Sequence, residues 1–97
     1  MKPLTSTEIQ TELTHLPNWI FLDHAIEKKW VFNDFLQAMQ FINKIAVVAE
    51  QKKHHPEWTN VYNKVTIRLS THDSNGVTTK DIALAKAIET IYKQVKF

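Results

Sequence analysis

The sequence predicts an α+β fold in which helices cover one face of a four-stranded antiparallel sheet, in the order α-β-β-α-β-β-α. Three observations carry that expectation. Apolar residues recur at a helical period in three stretches. Between these stretches lie four short β-branched and aromatic runs, arranged in two closely spaced pairs. Capping signals stand where the periodic stretches begin. The chain has 97 residues, which fits one domain over residues 1–97 and leaves no room for a second.

Each element has its own signal. Thr5-x-x-Glu8 has the spacing of a capping box, and Ile9, Leu13 and Leu16 follow at i, i+4 and i+7. Pro17 pushes the residue before it out of the α region, so the first helix is expected to stop near Leu16. Residues 18–23 and 26–32 read as a hairpin around His24-Ala25. Asn33 is the expected cap of a second helix, whose buried stripe is Phe35, Met39, Ile42, Ala46 and Ala49. Pro56 ends that helix at about His54. Residues 58–62 form a third strand, and Val65, Ile67 and Leu69 alternate with polar residues in a fourth. Ser74-Asn75-Gly76 is a turn, Thr78 or Thr79 caps the last helix, and Asp81 sits in its first turn. Leu84, Ile88, Ile91 and Val95 supply its apolar stripe, and Trp30, Trp58 and Tyr62 are expected on the sheet face away from the helices.

Composition excludes several function classes. Twelve basic against ten acidic residues give a net charge of +2, too small to argue for a nucleic-acid or membrane partner. The longest apolar run, Ile45 to Ala49, is five residues, against roughly 18–20 for a membrane span. With no cysteine and no signal-like N-terminus, the expected location is the cytoplasm. One glycine cannot build a phosphate cradle or a dinucleotide fingerprint, and no serine lies in a nucleophile elbow.

The chemistry gathers at Glu50 to Trp58. Adjacent side chains diverge on a helix and on a strand alike, so His54 and His55 converge only where the backbone turns, as it must before Pro56. Glu50, one helical turn earlier, can reach the His54 ring and fix its tautomer. His72 follows directly on the fourth strand, where a strand end and a helix end can share one rim of the sheet. These features suit an acid/base site. A plain C-terminal helix cap explains the histidine pair equally well. Three histidines with Glu50 also suggest a divalent metal site, although adjacent histidines rarely bind one ion. Lys52-Lys53 with Trp58 and Tyr62 reads as a solvated basic helix end before it reads as a nucleic-acid stacking patch. His15 and His24 are expected at the surface.

The run Glu50-x3-His54-His55-Pro56-x5-Tyr62-x9-His72-x8-Asp81 resembles the signature of the pterin-4a-carbinolamine dehydratases. The stretch from His54 to Val65 and the run Leu69-Ser70-Thr71-His72 are similar to that family as well, and the likeness covers nearly the whole chain. The resemblance implies a helix-covered antiparallel sheet and dehydration of 4a-hydroxytetrahydrobiopterin to quinonoid dihydropterin. That step recycles the pterin after an aromatic amino acid hydroxylase such as phenylalanine hydroxylase. It implies no metal or organic cofactor, and dimers that pair into tetramers. It makes His54, His55 and His72 the catalytic residues, with Glu50, Pro56, Thr71, Asp73 and Ser74 joining them around the substrate and Asp81 in support. Two positions depart from the family pattern: Lys53 stands where members carry Asp, and Lys80 where they carry Arg. An animal relative also serves as a dimerisation cofactor for a homeodomain transcription factor. The alternative function, kept open by Lys53, is a non-catalytic oligomeric binding module or a regulator of a hydroxylase or transcription factor.

Overall fold

Two β-hairpins meet along their inner strands to form the sheet. The structure, a computed structural model, describes residues 1–95. Its elements are α1 (Ser6–Leu13), β1 (Ile20–Leu22), β2 (Ala25–Val31), α2 (Phe35–Lys52), β3 (Glu57–Val61), β4 (Lys64–Leu69), a 3₁₀ turn (His72–Ser74) and α3 (Thr79–Gln94). The strands lie in the order β1-β2-β4-β3, every pair antiparallel. This is the expected α-β-β-α-β-β-α architecture. Among the described residues no helix is long and apolar enough to cross a membrane.

Local signals shape the ends of the elements. The Thr5–Glu8 capping box forms, with the Thr5 N–H donating to Glu8 Oε1 at 2.8 Å. The α-helix stops at Leu13, and bonds of the i to i−3 kind tighten the chain as far as Leu16 before Pro17. Asp23 and His24 both take positive φ (50° and 65°), the geometry of a two-residue hairpin turn, one position earlier than expected. The cap of α2 is Asp34 and not Asn33: Asp34 Oδ1 accepts the Gln37 N–H at 2.9 Å, and Gln37 Oε1 accepts the Asn33 N–H. In the turn after the 3₁₀ segment Asn75, not Gly76, takes the left-handed conformation. Gly76 leaves room for the N-terminal segment: a Cβ there would lie 3.0 Å from Pro3 Cβ, closer than an ordinary contact.

The helices bury one face of the sheet against Ile26, Trp30, Val65, Ile67 and Leu69. Two expectations change here. The core stripe of α2 is Ala38, Phe41, Ile45 and Ala49; Phe35 and Ala46 are exposed, and Met39 and Ile42 half-buried. Trp30 and Trp58 lie on the helix-covered face: Trp30 packs on Trp19 and Phe41, and Trp58 pairs with the buried Ile67. Tyr62 sits exposed in the β3–β4 turn with φ of 50°. The open face carries the row Glu27–Arg68–Glu57 and the row Val31–Lys64–Val61.

Lys28 shares the core face with Trp30 and is 8% exposed. Glu89 of α3 answers its charge: one oxygen, Oε2, accepts from Lys28 Nζ at 2.9 Å and from Trp19 Nε1 at 3.0 Å. Removing one partner of such a pair leaves a charge uncompensated in a poorly solvated site. Glu89→Leu is expected to lower the unfolding free energy by about 2–4 kcal/mol in urea titrations. An unchanged midpoint would show that the cluster contributes nothing to stability.

Candidate active site

The C-terminus of α2, the loop after β4 and the N-terminus of α3 meet at one end of the sheet. Helix α2 closes by a left-handed turn at Lys53 (φ 53°, ψ 39°), one residue before the end expected at His54, so the backbone reverses at Lys53 and not before Pro56. The Lys53 N–H donates to Glu50 O and the His54 N–H to Ala49 O, both at 3.1 Å, the paired bonds of a Schellman motif. This reversal swings the two histidines apart. His54 turns inward, and its Nε2 lies 2.5 Å from Oδ1 of Asp81, a residue with no solvent exposure. His55 turns outward, with Nε2 2.7 Å from Glu50 Oε1. Glu50 thus holds His55 and not His54, because the turn at Lys53 removes the i, i+4 relation that a continued helix would have kept. Both members of the His55–Glu50 pair are exposed, so it contributes at most about 1 kcal/mol to stability.

Asp81 reaches His54 from the first turn of α3. Thr78 caps this helix in a capping box whose acidic member is Asp81: Oδ2 accepts the Thr78 N–H at 2.9 Å. The same Oδ2 accepts the Thr71 hydroxyl at 2.8 Å. One carboxylate therefore ties three elements together at the site, the end of α2, the exit of β4 and the start of α3.

His72 begins the 3₁₀ turn and is exposed. It joins His54 and His55 around a cleft of about 340 Å³, completed by Lys53, Thr71, Asp73, Lys80 and Ser70. That volume lies within the range of about 300–1,000 Å³ usual for small-molecule sites. Of the residues singled out in the sequence, the three histidines, Thr71 and Asp73 line the cleft, while Glu50 and Asp81 each hold one of its imidazoles. Pro56 and Ser74 are not in its lining, and the Ser74 hydroxyl donates to the Met1 carbonyl. Ser70 and the hydroxyl of Thr78 were not singled out as site residues. Ser70 is the neighbour of a named residue, and Thr78 carried only the signal of a helix cap. His15 and His24 are exposed, as expected.

Among the described residues no group of three histidines or carboxylates is arranged to hold a metal ion. A second depression, of about 280 Å³, lies on the open sheet face around Lys29, Val31, Thr59, Val61, Lys64 and Thr66. It has no histidine or carboxylate in its lining.

Comparison with known proteins shows the family and the fold. The sequence profile of the family described as pterin 4 alpha carbinolamine dehydratase matches residues 2–91. A protein of Prochlorococcus marinus, provisionally named a pterin-4-alpha-carbinolamine dehydratase, is 48% identical over 90 residues, covering 93% of this chain and 94% of the relative. A crystal structure described as a transcriptional coactivator/pterin dehydratase from Brucella melitensis superposes with a TM-score of 0.90 at 40% identity, covering 93% of this chain and 98% of the other. A pterin dehydratase-like protein described as a RuBisCO assembly factor of the alpha-carboxysome shares the fold at a TM-score of 0.67 and 19% identity, over 79% of this chain and 92% of that one. With its histidine cleft, its fold and a profile match over nearly its whole length, the chain belongs to the pterin 4 alpha carbinolamine dehydratase family.

Proposed function

We propose that this protein dehydrates 4a-hydroxytetrahydrobiopterin to quinonoid dihydropterin and water by histidine acid/base catalysis. One feature supports the reading above all: three imidazoles line one cleft, and two of them are each held by a separate carboxylate. Breaking the C4a–O bond needs a proton on the departing hydroxyl, which leaves as water. A second group must take a proton from the pterin ring, so that the ring's electron pair replaces the lost bond. His54 and His72 form this proton-transfer pair. His55 hydrogen-bonds the substrate and stabilises developing charge, oriented by Glu50. Asp73 and the backbone of residues 70–72 give the pterin edge further partners. No metal or organic cofactor takes part.

The test is the rate at which freshly generated 4a-hydroxytetrahydropterin disappears, followed by ultraviolet absorbance against the uncatalysed background. Acceleration by the purified protein supports the reading, and a rate equal to background contradicts it.

The protein works beside an aromatic amino acid hydroxylase in the cytoplasm and self-associates as a dimer or tetramer. Association is supported by α2, which has a second apolar strip, Phe35, Met39, Ile42 and Ala46, beside its core stripe, with Leu36 and Val47 exposed. Val47→Lys is expected to reduce the mass measured by light scattering, whereas an unchanged mass would remove α2 from the interface. A second reading is a binding role without catalysis. It is favoured by the descriptions of two similar structures, one as a transcriptional coactivator as well as a dehydratase and one as an assembly factor.

A further inference from the structure

A chain of hydroxyls stands behind the buried carboxylate, and the number of protons in it fixes its direction. The Thr71 and Thr78 hydroxyl oxygens lie 2.7 Å apart, and Thr71 Oγ1 lies 2.8 Å from Asp81 Oδ2. Each hydroxyl has one proton. Thr71 spends its proton on Asp81, which only accepts when ionised, so the bond between the two threonines runs from Thr78 to Thr71. Thr78 Oγ1 in turn accepts the Lys80 N–H at 3.2 Å. Oδ2 of Asp81 therefore receives two donors, the Thr71 hydroxyl and the Thr78 N–H, at the N-terminus of α3, where the helix dipole also favours negative charge. All three residues are buried, Thr78 and Asp81 completely.

This arrangement leaves Oδ1 as an acceptor facing the imidazole. We propose that Thr71 and Thr78 are positioning residues that hold Asp81 as an acceptor, so that neutral His54 keeps its proton on Nε2 and turns an unprotonated Nδ1 to the cleft as its working nitrogen. The second half of the inference has its own support. His54 Nδ1 has no hydrogen-bond partner among the described residues, yet the one buried side-chain nitrogen or oxygen without a partner there is Trp30 Nε1. Nδ1 is therefore open at the cleft that His54 lines. Thr71, which the family resemblance sets around the substrate, has its hydroxyl committed to Asp81 instead.

The effect on turnover rests on the proposed dehydratase activity, but the tautomer does not. Two-bond ¹H–¹⁵N spectra of the imidazoles, with His54 assigned from a His54→Gln sample and recorded where the ring is neutral, read the tautomer in the wild-type chain. The expected spectrum has His54 protonated at Nε2 and bare at Nδ1. The reverse tautomer overturns the proposal whether or not the protein dehydrates pterins and whether or not the Thr71→Val variant folds. In the dehydration assay, Thr71→Val is expected to lower kcat by about ten-fold or more while KM changes by less than about two-fold. Thr71→Ser, which restores the hydroxyl, should bring kcat back to within about three-fold of wild type. A folded Thr71→Val protein with wild-type kcat and an unchanged His54 spectrum would overturn the positioning role.

Discussion

Asp81→Asn is expected to lower kcat for 4a-hydroxytetrahydropterin dehydration by about 10²–10⁴-fold while leaving the protein folded. The substitution keeps the size of the side chain and changes its hydrogen-bonding capacity. A carboxylate accepts on both oxygens; an amide accepts on one side and donates on the other. At Asp81 the Thr71 hydroxyl and the Thr78 N–H both converge on Oδ2, so the amide oxygen belongs there and the NH₂ faces His54. His54 Nε2 must then accept, which moves the ring proton to Nδ1 and reverses the part this histidine plays in the cleft. The stability cost is that of weakening hydrogen bonds to a charged group, about 1–3 kcal/mol. A domain with about 5–15 kcal/mol of stability tolerates that loss. Near-wild-type turnover by a folded Asp81→Asn protein would show that His54 does not depend on its carboxylate.

His72→Ala should cost a comparable factor, about 10²–10⁴-fold in kcat, for a different reason. No structural hydrogen bond of the His72 side chain is found among the described residues, and the residue is exposed at the start of the 3₁₀ turn. What organises the turn is backbone: the Asn75 N–H donates to His72 O, and Thr71 and Gly76 form an isolated bridge. Truncation to alanine thus removes the imidazole and leaves the loop's own bonds in place. The melting temperature should stay within a few degrees of wild type, since exposed substitutions away from special features change stability by no more than about 0.5 kcal/mol. A large loss of rate in a protein of wild-type stability is the signature of a group that acts on substrate. An unchanged rate would remove His72 from the chemistry.

Where a structural signal was local, the sequence was legible. The capping box at Thr5–Glu8, the threonine cap of the last helix, the paired strands and the position of Pro17 were enough for the order of elements. Signals that depend on distant partners were not. Lys28 and Trp30 share one face of β2, and only Glu89, 61 residues from Lys28, lets the lysine face inward. Read without that partner, the strand's apolar and polar faces cannot be told apart, so Trp30 was expected on the wrong side. Helix α2 has two adjacent apolar stripes, and periodicity alone does not say which one the sheet covers. In the site, the histidines and both carboxylates were visible as residue types, but their pairing was not. Helical spacing pairs Glu50 with His54. The left-handed turn at Lys53 broke that spacing and sent His54 to an aspartate 27 positions away. The Thr71–Thr78 contact had no sequence signal beyond a helix cap.

The measurement closest to the central claim is dehydration of freshly generated 4a-hydroxytetrahydropterin by the wild-type protein, with a chelator present and His72→Ala run in parallel. Metal-free histidine catalysis predicts acceleration over the uncatalysed background that survives the chelator and is lost in the variant. A folded wild-type protein that leaves the background rate unchanged would contradict it.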